Sequence, residues 1–278
     1  MINIKALEVA PPPGTTCVDT SYRLSKGRFY KFFQNFNCFY FKRCLKAFTL
    51  AEVLVTLGII GVVSAMTVPT LMQNHQRKTY VTQLHKAYNE IQQAFMQEMT
   101  DKNAINLKEA GLTDPEAMDE FISRHFKVVQ ACPAHKHCSD IKYKNLNGTT
   151  VDTSGALSWQ NGACAIIASG AEICIDSVKA RTYTYGGYSS SWGISFVDVN
   201  GSAGPNILGR DAFIMINWDD GVLDTINASP ACRTKGICDG ASLEAIRNAA
   251  GAACEATVTY TDNQCFGKIL NNNWEMTY

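Results

Sequence analysis

The hydrophobic and polar positions of the chain fall into three patterns. In the first, residues 53–74 carry no charge, and every position from Val53 to Val68 is apolar or small. Counted from Phe48, this run would form a helix of about 31 Å, which is enough to cross the hydrocarbon core of a bilayer. The pattern therefore predicts a membrane-spanning helix over residues 48–72.

The second pattern has the period of an amphipathic helix. Its apolar positions recur every three or four residues: Leu84, Tyr88, Ile91, Phe95 and Met99. Such spacing places them on one face, while Gln, Lys and Glu occupy the other. We expect the first helix to continue through residues 73–100 and to pack this face against a sheet.

The third pattern covers residues 101–278 and predicts an exported globular domain. Asp114, Pro115 and Glu116 are typical of a helix cap and first turn. The helix that they begin would bury four apolar side chains: Met118, Phe121, Ile122 and Phe126.

Strand signals dominate after this helix. Ser169-Gly170 separates two β-rich runs as a hairpin, and Asp219-Asp220-Gly221 separates another pair. The runs are 163–167, 172–176, 192–199, 212–218 and 222–226. They predict a mainly antiparallel sheet, followed by a short helix over 242–250 and an aromatic tail, 274–278, that docks on the domain. The fold class is therefore α+β, with the long first helix packed on the sheet.

The eleven cysteines are unevenly placed along the chain. Cys17, Cys38 and Cys44 precede the apolar run, whereas the other eight lie between residues 132 and 265. An even number in the last part suits disulfides outside the cytoplasm. Eight cysteines allow 105 connectivities, and proximity favours four local pairs: Cys132 with Cys138, Cys164 with Cys174, Cys232 with Cys238, and Cys254 with Cys265. The second pair is the best supported because the predicted hairpin places its members opposite each other.

The formal net charge is zero, but the first 47 residues are basic. Lys42, Arg43 and Lys46 directly precede the apolar run, which predicts a cytoplasmic amino-terminal side and an exported remainder. The remainder is mildly acidic, so nucleic acid is not indicated as a partner.

A secretory signal peptide, an ordinary membrane anchor and a buried core helix are alternative interpretations of the apolar run. Ser64-Ala65-Met66 imitates a signal-peptide cleavage site. A buried core helix rarely lacks charge over so many residues. Neither a signal peptide nor an anchor explains Glu52, because a carboxylate at the start of a membrane helix is costly to insert unless a positive charge pairs with it.

The segment Lys46-Ala47-Phe48-Thr49-Leu50-Ala51-Glu52, with the apolar run and Pro69 behind it, resembles the amino-terminal segment of type IV prepilins and type II secretion pseudopilins. The resemblance implies that prepilin peptidase cuts between Ala47 and Phe48 and methylates the new amino group. It also implies that Glu52 pairs with the amino terminus of a neighbouring subunit. Pro69 is expected to kink or locally melt the helix.

Two features differ from the family pattern. Ala47 stands where the family usually has Gly, and the leader of residues 1–47 is longer than family leaders. One hypothesis is that translation starts at Leu45, which would leave a very short leader. Gly58 and Gly61 are interpreted equally well as ordinary membrane-helix glycines or as close-contact positions.

The chain contains no recognisable set of catalytic residues, so no enzyme activity and no cofactor are predicted. Cys132, His135, His137 and Cys138 have zinc-ligand chemistry, but oxidised cysteines cannot bind zinc as thiolates. The segment from Asp198 to Asp211 contains fragments of calcium-loop chemistry without the acidic series of an EF-hand, and a plain turn is the favoured interpretation. No metal site is predicted. Residues 147–149 form a glycosylation sequon, which is a weak signal.

The resemblance implies a structural subunit of a type IV pilus or a type II secretion pseudopilus. Its partners would be prepilin peptidase, other pilin or pseudopilin subunits, the inner-membrane assembly machinery and membrane lipid. It would be a single-pass protein of the inner membrane, and assembly would place it in a periplasmic pseudopilus or an extracellular pilus. The alternative is a membrane-anchored or fibre-tip protein, such as a minor pilin, that contacts DNA, a surface or a secreted substrate. An anchored zinc enzyme is a remote third interpretation.

Overall fold

The computed structural model describes residues 48–138, 140–151, 159–179, 181–252, 254 and 265–278. Ala47, the first three cysteines and the whole proposed leader lie outside the described residues. Contacts divide the chain into two units, and the boundary between them follows Leu71.

The long helix α1 spans Leu50–Asp101. Every side chain from 48 to 76 is exposed, whereas the predicted stripe is buried from Leu84 onward, with Tyr88 half-buried at its edge. The helix therefore continues beyond the apolar run, and its stripe lies in a hydrophobic core cluster. Helical conformation also continues through Pro69. Local melting, one of the two effects expected at Pro69, therefore does not occur in this structure. Because proline has no amide hydrogen, the Ala65 carbonyl still lacks its usual helical hydrogen bond.

The described residues form seven strands in one antiparallel sheet with the order β1-β2-β3-β5-β6-β7, in which β4 pairs with the first half of β5. The predicted α+β class with an antiparallel sheet is confirmed. The strands are β1 Val128–Ala131, β2 Gly162–Ile167, β3 Glu172–Asp176, β4 Arg181–Tyr185, β5 Tyr188–Asp198, β6 Ala212–Trp218 and β7 Leu223–Asp224.

The sheet buries side chains on both faces because successive residues of a strand point to opposite sides. Ile173 and Ile175 of β3 pack in the same cluster as the α1 stripe. Cys174, between them, faces a second cluster built around Trp159 and Phe196. The fold therefore has two apolar layers, of which the sequence pattern predicted only the one against α1.

Four shorter helices complete the described part of the chain: α2 Pro115–His125, α3 Pro230–Lys235, α4 Leu243–Ala252 and α5 Cys265–Asn271. The Asp114 side chain accepts a hydrogen bond from Ala117 N at 2.9 Å, which confirms the predicted cap of α2. The four predicted side chains of this segment are also buried. The aromatic tail docks as predicted, because Trp274 stacks on His85 with ring centroids 3.9 Å apart.

The four cysteine pairs favoured by proximity all lie at disulfide distance in the structure. Their Cα–Cα distances run from 4.0 to 4.8 Å. Cys164 and Cys174 are directly opposite in the β2–β3 ladder. The bridges therefore follow the local pairing that the sequence indicated.

Candidate functional site

The first turn of α1 is closed by a reciprocal pair of hydrogen bonds between Thr49 and Glu52. The Thr49 amide donates to Glu52 Oε2 at 2.8 Å, and the Glu52 amide donates to Thr49 Oγ1 at 3.2 Å. The Thr49 hydroxyl also donates to Oε2, at 2.9 Å. This is a capping box, which satisfies amide groups that a helix start otherwise leaves without partners.

The capping box was missed at the sequence level, although its signal is present. A Thr followed three residues later by Glu, just before an apolar run, is the known pattern. The sequence interpretation assigned Glu52 a partner on a neighbouring subunit and overlooked this local role. Among the described residues, both hydrogen bonds that the Glu52 carboxylate accepts go to Oε2, and Oε1 accepts none.

The apolar part of α1 satisfies its own polar groups. The hydroxyls of Thr56 and Thr67 donate to the carbonyls of Val53 and Val63, at 3.0 and 2.9 Å. A helix that binds its own hydroxyls in this way presents little unsatisfied polarity to lipid. Among the described residues, α1 is the helix that is long and apolar enough to cross a membrane.

Gly58 and Gly61 leave open space beside the backbone of this helix. A Cβ atom added at either position would meet no heavy atom within 4 Å. No contact among the described residues therefore requires glycine at these positions. Small residues on a membrane helix allow another helix to approach closely.

Residues 42–68 match the family model described as the prokaryotic N-terminal methylation motif. The chain carries the signature of type IV pilins and pseudopilins. The methylation motif covers the proposed cleavage position, Glu52 and the apolar run, and it agrees with the resemblance seen in the sequence. No curated protein and no solved structure matches the chain significantly.

The methylation motif supports a pilin-like precursor that prepilin peptidase processes and that assembles with other pilin subunits. Together with the single long apolar helix of the described residues, it fits a protein anchored in the inner membrane. It also points to a structural rather than an enzymatic protein.

The residues proposed as zinc ligands are in a state that does not bind zinc. Cys132 and Cys138 form a disulfide, so neither offers a thiolate. Both ring nitrogens of His137 are occupied, because Nδ1 lies 2.8 Å from Glu172 Oε1 and Nε2 accepts from Trp159 Nε1 at 3.0 Å. His137, Glu172 and the sulfurs of a second disulfide, Cys164–Cys174, form the larger of two groups of possible ligand atoms among the described residues, and the same objection applies there.

Proposed function

We propose that this protein is a structural subunit of a type IV pilus or a type II secretion pseudopilus. The methylation motif on residues 42–68 is the observation that carries the proposal. In this proposal residues 1–47 are removed, and residues 48–72 span the membrane and later pack in the filament. Residues 73–100 continue the helix, and residues 101–278 form the exported domain.

The charge of Glu52 is proposed to set the position of one subunit against the next. Cleavage before Phe48 creates an α-ammonium group at the start of the mature chain. If this group lies against Glu52 of a neighbour, each buried charge compensates the other and one axial offset is preferred. The capping box supports this role because it fixes the carboxylate at the first turn of α1 and leaves Oε1 available.

Close packing of neighbouring α1 helices is proposed at Gly58 and Gly61. The absence of any atom near an added Cβ supports contact with another chain, since nothing in the described part of this one needs the space. Pro69 is proposed to weaken the helix enough for adjustment during assembly, because its ring removes one backbone hydrogen bond.

A second candidate is a minor subunit that binds a partner at the tip of a fibre or at the cell surface. The four disulfides of the exported domain favour it, because an abundant structural subunit does not require so heavily bridged a domain. Imaging of an epitope-labelled chain would distinguish the two: label along whole fibres indicates a major subunit and sparse label a minor one. Label confined to the envelope indicates a pseudopilin.

The decisive experiment combines mass spectrometry of the mature chain with one substitution. The mature protein should begin with N-methylated Phe48. Glu52→Gln should leave membrane insertion and the capping box intact, because Gln also serves at this capping position, while the yield of filaments falls at least tenfold. Glu116→Gln, at an exposed position of α2, is the matched control. A mature chain with another first residue, or full filament yield from Glu52→Gln, would refute the proposal.

A further inference from the structure

Cysteines at three neighbouring strands lie in a row across the sheet. Cys164 of β2 is directly opposite Cys174 of β3. On its other side, the β1–β2 register pairs Ala131 with Ala165, and the next residue, Cys132, donates its amide hydrogen to the Cys164 carbonyl at 3.2 Å. Side chains of directly opposite residues project from the same face of a sheet, and all three cysteines belong to the second apolar cluster. Cys164 therefore has a cysteine neighbour on each side.

The ladder gives Cys132 the spacing of a disulfide partner for Cys164. Residues that share a backbone hydrogen bond across an antiparallel pair have Cα atoms about 5.5 Å apart, and disulfides join Cα atoms that are roughly 4.4–6.8 Å apart. In the structure Cys132 is bonded to Cys138 instead, and Cys164 is bonded to Cys174. The sheet thus offers Cys164 two partners, and Cys138 holds one of them.

The Cys132–Cys138 bridge is the accessible one of the two. Both of its cysteines are partly exposed, whereas Cys164 and Cys174 are buried. Cys132 and Cys164 also line one open cleft of about 290 Å³, between the first turns of α2 and residues 132–135. A dissolved thiol therefore reaches the first bridge through this cleft, and Cys132, once reduced, lies beside Cys164.

A hydrogen-bond donor lies beside the buried sulfur of Cys174. Trp159 Nε1, which can only donate, lies 3.0 Å from His137 Nε2. Nε2 is therefore the acceptor, and the imidazole proton is on Nδ1, which lies 2.8 Å from Glu172 Oε1 and 3.7 Å from Cys174 Sγ. Carboxylate oxygens of Glu172 lie within 4.8 Å of the sulfurs of both bridges. A donor that stabilises a thiolate makes it a better leaving group.

We propose that these four cysteines form a thiol–disulfide exchange site whose substrate is a dithiol. The dithiol passes two electrons to the Cys132–Cys138 bridge, becomes a disulfide itself and leaves two protein thiols. The Cys132 thiolate then attacks Cys164 Sγ, forms a Cys132–Cys164 bond and breaks the Cys164–Cys174 bond. Cys174 leaves as a thiolate beside His137 Nδ1 and takes up one proton, in place of the proton that Cys132 lost. The second step therefore transfers no net electrons.

The exchange would keep β1 cross-linked to the sheet after the accessible bridge is lost. Cys132 and Cys138 are only six residues apart and close a loop that follows β1, whereas a bridge from Cys132 to Cys164 would join β1 to β2. Residues 133–137, beside the cleft, would then be free of their bridge. The proposal uses contacts of the globular domain alone and does not depend on the function proposed above.

The test treats the oxidised full chain in detergent with one equivalent of dithiothreitol, blocks free thiols with N-ethylmaleimide and maps the bridges by peptide mass spectrometry. Chains that have lost one bridge of this cluster should carry a bond between Cys132 and Cys164 as their main remaining bridge. Cys138 and Cys174 should be the blocked thiols in these chains.

The bridge between Cys232 and Cys238 is the internal control. Its cysteines have the same separation of six residues, but among the described residues they belong to neither group of neighbouring ligand atoms. Reduction of this bridge should give two blocked thiols and no new bond.

Substitutions at His137 test the donor beside the leaving sulfur. His137→Phe keeps a ring against Trp159 and Phe196 but removes the donor, so the transfer should slow at least tenfold. His137→Asn retains an N–H donor near the position of Nδ1 and should slow it less. His135→Asn is the matched control, at an exposed position with φ +62° that asparagine tolerates, and its rate should stay within twofold of the parent.

Two results would overturn the proposal. In the first, the bond between Cys164 and Cys174 persists while Cys132 and Cys138 are both blocked, so that reduction ends at the accessible bridge. In the second, His137→Phe transfers the bridge as fast as the parent. Peptide maps before reduction would verify that each variant has the parental bridges, and the parent chain alone decides the transfer if His137→Phe does not fold.

Discussion

The imidazole Nε2 of His125, at the end of α2, lies 2.7 Å from a carboxylate oxygen of Glu98 on α1. Both side chains are almost fully buried, and Arg124 donates to both oxygens of the same carboxylate at 2.9 Å. This group ties α2 to the second half of the long helix. Burial of Glu98 opposes ionisation, but the bonds from His125 and Arg124 outweigh it and hold its pKa below the ordinary value.

We predict that Glu98→Gln lowers the free energy of unfolding by about 1.5–3 kcal/mol, because hydrogen bonds to a charged acceptor are lost. A depressed carboxyl pKa stabilises the fold above the unfolded-state value of 4.5, and this contribution disappears as the pH falls through the lower folded value. Urea unfolding at pH 7 and pH 3 would measure both effects.

Glu90→Gln is the matched control for this substitution, because the ion pair that Glu90 forms with Lys86 on the same helix is accessible to solvent. Its effect should stay within about 1 kcal/mol. The buried group would have no special role if the two variants unfolded alike, or if the Glu98→Gln penalty were the same at both pH values.

Thr49→Ala should separate the capping role of the first turn from the assembly role proposed for Glu52. It removes the hydroxyl that bonds Glu52 but keeps the negative charge. We expect filament yield to fall less than twofold, against the tenfold loss for Glu52→Gln. Quantitative electron microscopy of sheared filaments would compare them. An equal loss in both variants would mean that the cap, rather than the charge, is what assembly requires.

Ala47→Gly should accelerate processing of the precursor. The pattern of the family places Gly before the cut, so the substitution restores the residue that its peptidase usually meets. A pulse-chase experiment should show the precursor disappearing several-fold faster than in the parent. Ala51→Gly, on the other side of the cut, is the control, and unchanged kinetics in Ala47→Gly would argue against cleavage at this bond.

Asp114→Ala should destabilise the globular domain by about 1 kcal/mol, because the cap of α2 loses its acceptor for Ala117 N. Asp119→Ala, at an exposed position in the same helix, should change stability by less than about 0.5 kcal/mol. Thermal unfolding of the two variants in parallel would check the difference. A smaller loss for Asp114→Ala than for Asp119→Ala would contradict the prediction.

The parts of this fold that the sequence predicted are those with a strong local signal. The stripe from Leu84 to Met99 has a clear period, the cap at Asp114 has its own residue types, and the β2–β3 hairpin has a glycine turn. Strand β4 was missed because it has no run of buried apolar side chains: its Thr residues are exposed and its Tyr residues are only partly buried. Its signal was nevertheless present in Gly186-Gly187, both at positive φ, the conformation of a two-residue hairpin turn.

The buried acids at one end of the sheet show why sequence reasoning stops short of a three-dimensional cluster. Asp198 and Asp211 are separated by a loop, and only the pairing of β5 with β6 brings them together. Glu172 joins them through a different strand pair. The burial that leaves the Asn200 and Asn206 oxygens without partners arises from packing, which no spacing rule reports.

The four disulfides of the described residues each join a cysteine to the next one along the chain. A chain that crosses the membrane from its amino-terminal side would present these cysteines to an oxidant in pairs, and each pair could close before the following one emerged. Correct bridges would then form in the order in which the cysteines cross the membrane, without an isomerase to correct them. Secretion of this protein should therefore tolerate loss of disulfide isomerase but not of the oxidant.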